Sequence, residues 1–116
     1  MNNRQFSSKQ EIKVAELLDG KVVSNSGATK FNKGDVIVKS CDLLIECKTC
    51  TTSKDSFSVK KEWLEKLKEE AYSQGLQNYG LAIDFGDSKN YFIIDTNLMI
   101  NLVNYIRQEM KEKENG

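Results

Sequence analysis

The chain has 116 residues, 39% hydrophobic and 29% charged, with no histidine, no proline and a formal net charge of zero. Such a chain suits one globular domain with a modest core. No apolar run is long enough to span a bilayer, and the polar start MNNRQFSSKQEIK lacks the apolar centre of a secretory signal. Any catalysis must therefore use carboxylates, lysine, hydroxyls, tyrosine or thiols.

The expected location is the cytoplasm, and no membrane partner or nucleotide cofactor is expected. Three cysteines, with Cys47 and Cys50 spaced C-x-x-C, read as reduced thiols, since a single such pair without histidine is a poor zinc site. Charge is uneven: residues 1–61 hold 11 basic and 7 acidic residues, and 62–116 hold 6 and 10. The basic half fits an anionic substrate on one face.

In chain order, residues 7–18 read as a helix capped by Ser7 or Ser8, with Ile12, Ala15, Leu17 and Leu18 as its apolar positions. Glu11 lies one turn before Ala15 and shares its face, with Glu16 as the rival glutamate on the flank. Residues 21–24 form a short strand, and 25–34 a polar loop with two glycines. Residues 35–39 and 42–49 are two strands around a Lys-Ser-Cys-Asp turn. A helix from about Ser58 to Tyr72 carries Trp63, Leu64, Leu67 and Ala71 as a stripe, with Gly75 suited to its end. YGLAIDF and NYFIID are strands joined by Gly-Asp-Ser. Asp84, Asp87 and Asp95, at strand ends and turns, read as structural. A last helix runs from Thr96 to about residue 113, with Leu98, Leu102, Val103, Ile106 and Met110 on one side and KEKENG fraying. The order α-β-β-β-α-β-β-α implies an α/β fold, a mixed central sheet flanked by helices, in one domain spanning 1–116.

The hairpin carries the chemistry. Antiparallel pairing around Ser40-Cys41 sets 39 opposite 42, 37 opposite 44 and 35 opposite 46. Asp35 and Glu46 become cross-strand neighbours with Cβ atoms roughly 4.5–5.5 Å apart. Lys48, two residues beyond Glu46, shares that face. Two facing carboxylates repel, and Lys48 offsets one charge only. A hard divalent cation, Mg²⁺ or Mn²⁺, would offset the rest. The same spacing also suits a solvated hairpin with a simple acid–lysine pair.

Asp35 followed by Glu46-Cys47-Lys48 has the D…E-x-K form of the PD-(D/E)XK nuclease superfamily. The surrounding order resembles archaeal-type Holliday-junction resolvases and their phage-encoded relatives. Glu11 precedes Leu17-Leu18, Ser26-Gly27 lies in the loop, SVKKEWLEKLKEEA supplies the helix, and YGLAIDFGDSKNYFIID closes the core. The likeness covers about residues 8–95 and leaves the last helix outside. Gly34 stands where the superfamily name has proline, Cys47 replaces a branched apolar residue, and the Ser/Gly loop is longer than expected.

The resemblance implies a restriction-endonuclease-like core and a metal-dependent DNA endonuclease leaving 5′-phosphate ends, most simply a Holliday-junction resolvase acting as a homodimer on four-way DNA. Asp35, Glu46 and the Cys47 carbonyl would hold Mg²⁺, with Glu11 completing the set and Lys48 and Ser26 assisting catalysis. Lys60 and Lys61, in the first turn of a helix where the macrodipole disfavours cations, suit a nearby DNA backbone. Against this, they could pair with Glu65. Lys30, Lys33 and Lys54 flank the acids in loops and could add phosphate contacts. Trp63, Phe57 and the last helix are candidates for the dimer interface. A nuclease for other branched, nicked or foreign DNA, or a non-catalytic DNA-binding module on the same fold, are the competing readings.

Overall fold

A computed structural model describes residues 3–23 and 35–115. Helix α1 (Asn3–Leu18) leads into β1 (Lys21–Val22), β2 (Val36–Val38) and β3 (Leu43–Thr49); α2 (Lys61–Ser73) is followed by β4 (Asn78–Asp84), β5 (Asn90–Ile94) and α3 (Thr96–Asn115). A single 3₁₀ turn, Lys39–Cys41, sits between β2 and β3 and was not part of the expected order. The five strands form one mixed sheet in chain order: β3 and β4 are parallel and the other neighbours antiparallel. Among the described residues no helix is long and apolar enough to cross a membrane.

Helices cover both faces. On one, Val14 and Ala15 of α1 meet Val36, Val38, Ile45 and Ala82. On the other, Leu67 and Ala71 of α2 meet Leu44, Tyr79, Leu81 and Ile83. Because β3 and β4 are covered on both sides, they read as near-continuous apolar runs. Parallel β3 and β4 need a crossover, and α2 supplies it.

Helix ends explain several shifted boundaries. The first helix starts at Asn3, so Ser7 and Ser8 are interior positions and not caps. Its buried stripe is Gln10, Val14 and Ala15, with Leu18 half-buried, while Ile12 and Leu17 are exposed. The i, i+4, i+8 spacing of 10, 14 and 18 selects this face over that of Ile12. The helix closes with Asp19 in the left-handed region (φ 54°) and the Gly20 N–H donating to the Ala15 carbonyl at 2.8 Å. A Cβ on Gly20 would lie 2.8 Å from the Ile37 carbonyl oxygen, so glycine lets the chain pass close beneath β2.

The second helix begins at Lys61, not Ser58, because Lys60 is extended (φ −91°, ψ 131°). It ends as the sequence suggests. Gly75 takes φ 77°, its N–H donates to Tyr72, and the Leu76 N–H donates to Ala71. That is a Schellman closure, and Leu76 then folds into the core beside Ala71. The last helix continues through Asn115, beyond the expected stop near 113 and through KEKEN. Its strong helix formers, with Gln108 donating to Glu112 one turn on, resist fraying.

Leu67 is 1% exposed at the centre of the α2 cluster. Leu67→Ala should lower the unfolding free energy by about 2–5 kcal/mol. Urea titration should show a lower midpoint at unchanged slope.

Candidate active site

The β2–β3 register positions the site. Val38 pairs with Leu43, Ile37 with Leu44 and Val36 with Ile45. The β2–β3 pairs end at Val36 with Ile45, and the same register continued by one residue would set Asp35 opposite Glu46. The turn is not a two-residue hairpin. Lys39–Cys41 form one 3₁₀ turn, and Asp42 adopts the left-handed conformation (φ 50°), which aspartate tolerates better than serine or cysteine. Four turn residues keep the same register.

Alternation along the strands assigns the faces. Leu44 and Ile37 pack towards α2, whereas Ile45, Cys47, Val36 and Val38 pack towards α1. Asp35, Glu46 and Lys48 therefore share the α2 face. Asp35 is 1% exposed, and its carbonyl accepts the Val23 N–H at 2.8 Å, tying its backbone to the end of β1. Lys48 Nζ lies 3.9 Å from Glu46 Oε1 and 4.3 Å from the centre of the Trp63 ring. The ammonium group thus rests between a carboxylate and an aromatic face, both of which attract it. Trp63 is held edge-on by Phe57, whose ring also meets Phe85. Phe57 and Trp63, two candidates for a dimer interface, are thus half-buried in their own domain and fix Lys48.

Burial pushes the Glu46 carboxyl above its usual range. Lys48 opposes this, Glu70 adds to it, and Lys66 opposes it again. Cys47 is pushed up to about 12, first by burial and then by the charges of Glu11, Asp35 and Glu46. Its thiol is inert near neutral pH. Glu11 of α1, Asp35 just before β2 and Glu46 of β3 thus all push the Cys47 thiol in the same direction. Glu11 is half-buried on α1 and Glu16 is exposed, so Glu11 is the glutamate turned towards the sheet. All three cysteines are free thiols.

By strand alternation Asp35 and Glu46 share a sheet face, Asp35 buried and the Glu46 carboxyl raised by burial, and carboxylate oxygens are the donor type that hard divalent cations take. Among the described residues no three Cys, Asp or Glu side chains gather closely enough to hold an ion. Glu11 belongs to α1, which packs on the other face of the sheet from the one that Asp35 and Glu46 share, and Cys47 pairs with Ala82 in the β3–β4 ladder.

The remaining residues divide. Ser26, Lys30 and Lys33 lie outside the described residues. Lys60 precedes α2, with its Nζ 6.0 Å from the same Trp63 ring that receives Lys48. Lys61 turns instead to Glu65 at 3.8 Å, both side chains exposed. Lys54 is exposed in a loop whose backbone donates to the Phe85 carbonyl. The three aspartates read as structural accept backbone hydrogen bonds: Asp84 from Gly86 and Ser88, Asp87 from Lys89, and Asp95 from Leu98 at the start of α3.

Gln10 escaped the sequence reading. It is 3% exposed, and its Nε2 lies 3.0 Å from the Lys48 carbonyl, the Ala82 carbonyl and Asn90 Oδ1. One amide group thus joins α1 to β3, β4 and β5 directly behind Lys48. Its place in the stripe with Val14 and Leu18 was the available signal. A polar residue in an apolar stripe implies a buried partner.

Since the Glu46 pKa is raised in the folded state, its ionisation opposes folding. The associated stability is complete below the unfolded carboxylate pKa and is lost as pH rises through the folded one. Glu46→Gln removes this titration. Its melting temperature relative to the parent should rise between acidic and neutral pH, and a pH-independent difference would show that Glu46 is not shifted upward. Added Mg²⁺ should stabilise the parent by about 1.4 kcal/mol at ten times its dissociation constant. Asp35→Asn should lose that increment in the same thermal melt.

A comparison with family models, curated proteins and solved structures finds no match for this chain.

Proposed function

We propose that this protein is a divalent-metal-dependent endonuclease for branched DNA, a resolvase of four-way junctions. The observation that carries the reading is the grouping of Asp35, Glu46 and Lys48 on one sheet face, with the ammonium 3.9 Å from Glu46. A surface ion pair needs neither a second buried carboxylate nor an aromatic support for the lysine. A hydrolytic phosphate site uses both.

A divalent cation held by Asp35 and Glu46 would supply Lewis acidity at the scissile phosphate. Asp35 and Glu46 contribute negative charge at a fixed spacing, set by strand pairing. Lys48 contributes N–H donors directed at the phosphate oxygens or at the attacking water, and its positive charge stabilises the charge that develops on phosphorus. Water adds to phosphorus, the bond from phosphorus to the 3′ oxygen breaks, and the ends are a 5′-phosphate and a 3′-hydroxyl. Trp63 keeps the Lys48 ammonium in place, so little ordering remains for the moment of reaction.

DNA would lie across the α2 side of the sheet. Lys60 sits beside Trp63 and, of the three candidate lysines among the described residues, is the best placed for a backbone phosphate. Lys61, engaged with Glu65, contributes less. Backbone contacts of this kind carry no base preference and weaken with salt. The reading therefore favours recognition of DNA shape over sequence.

The deciding experiment is cleavage of a four-way junction with Mg²⁺ and with EDTA, beside flap, nicked and linear duplexes. Cutting of the junction alone, dependent on Mg²⁺, is expected. Equal cutting of linear duplex points to a nuclease of wider range. Asp35→Asn and Glu46→Gln should each slow cleavage by roughly 10²–10³-fold while junction binding by gel shift persists. Undiminished cutting by either variant refutes the assignment.

A further inference from the structure

The β2–β3 ladder stops at Ile45, whereas the β3–β4 ladder continues through Thr49. Among the described residues, the part of β3 that carries Lys48 therefore pairs with a neighbouring strand on one side only, where Lys48 faces Ile83. Gln10 meets it there from the α1 side. A strand carbonyl lies in the plane of the sheet, so a group over one face can hold the backbone of a residue whose side chain points to the other. The Gln10 amide nitrogen does this at 3.0 Å from the Lys48 carbonyl.

This amide is a poor choice for stability alone. Its nitrogen carries two protons but faces three oxygens at 3.0 Å: the carbonyls of Lys48 and Ala82, and Asn90 Oδ1. Its own Oε1, together with Asn90 Nδ2, is buried with no hydrogen-bond partner among the described residues. Polar groups left in that state oppose folding. Val14 and Leu18, one and two turns on in the same stripe, are apolar, and an apolar side chain at position 10 would be buried at lower cost.

We propose that Gln10 is a positioning residue for Lys48, holding the lysine's backbone so that its ammonium falls between Glu46 and the Trp63 ring. Lysine has a flexible four-carbon stem, so its aim depends on both ends. Trp63 receives the ammonium, 4.3 Å from the ring centre, and Gln10 holds the main chain from the other face. The link to Ala82 and Asn90 ties that hold to β4 and β5, which fixes its height above the sheet. The consequence for cleavage rests on the nuclease reading; the positioning itself does not.

The test uses the full chain and the double variant Gln10→Met with Asn90→Leu, which removes both amides together. Its urea midpoint should equal or exceed the parent's. In the parent, the Trp63 ring current should carry the Lys48 ε-methylene proton signal upfield of the other lysines, the signal being assigned by its loss in Lys48→Arg. In the double variant that signal should move back towards the others. Junction cleavage at saturating DNA should fall by about 100-fold while binding by gel shift is unchanged, a loss in kcat and not in KM. An unmoved methylene signal overturns the proposal, as does a lowered urea midpoint, which would assign the amide to stability. Undiminished cleavage by the double variant, where the parent cuts, also overturns it. If the parent cuts no junction, the nuclease reading falls, and the urea and resonance measurements decide the role of Gln10 by themselves.

Discussion

The pairing register of β2 with β3 governs everything at the site. Side chains alternate along a strand, so a slip of one residue would send Asp35 or Glu46 to the opposite face. Two hydrophobic layers prevent that slip. Val36, Val38 and Ile45 are committed to α1, while Ile37 and Leu44 are committed to α2. The acids gain their common face because their apolar neighbours are sorted between two helices. Asp42 completes the lock by taking the left-handed conformation that the four-residue turn requires.

Around that register the molecule concentrates charge where water is scarce. Asp35 is almost fully buried, and Glu46 is held above its usual pKa by burial. Such a cluster opposes folding unless cations answer it. Lys48 answers in part, from a perch on Trp63 that is itself braced by Phe57. Behind the sheet, the Gln10 amide ties the Lys48 carbonyl to β4 and β5. The lysine is thus fixed at both ends, its backbone by α1 and its ammonium by α2. Local stability is spent on geometry, as is common where charges must be aimed.

The last helix follows a different logic. In α1 and α2 the apolar stripe is consumed by the sheet, and the helix ends are closed by hydrogen bonds that return the chain to the core. In α3 the stripe is equally regular, but among the described residues none of its side chains is buried. Amphipathicity in a sequence states that a face needs burying; it does not name what buries it.

The mixed α/β architecture, the α2 stripe, the Gly75 closure and the register of residues 36–38 against 43–45 could all be read from the sequence. Each follows from a local rule: period, turn chemistry or the two-residue repeat of a strand. Other features required tertiary structure. Whether Ile12 or Gln10 faced inward depended on which side of α1 met the sheet, since positions two apart point to nearly opposite sides of a helix. That Lys48 would lie on Trp63, that Lys60 would share the ring while Lys61 turned to Glu65, and that Leu102, Ile106 and Met110 would stay in solvent were likewise settled by packing. Local rules fix what each segment demands, but which demand is met depends on distant residues brought alongside it, and that is information only the assembled sheet and helices contain.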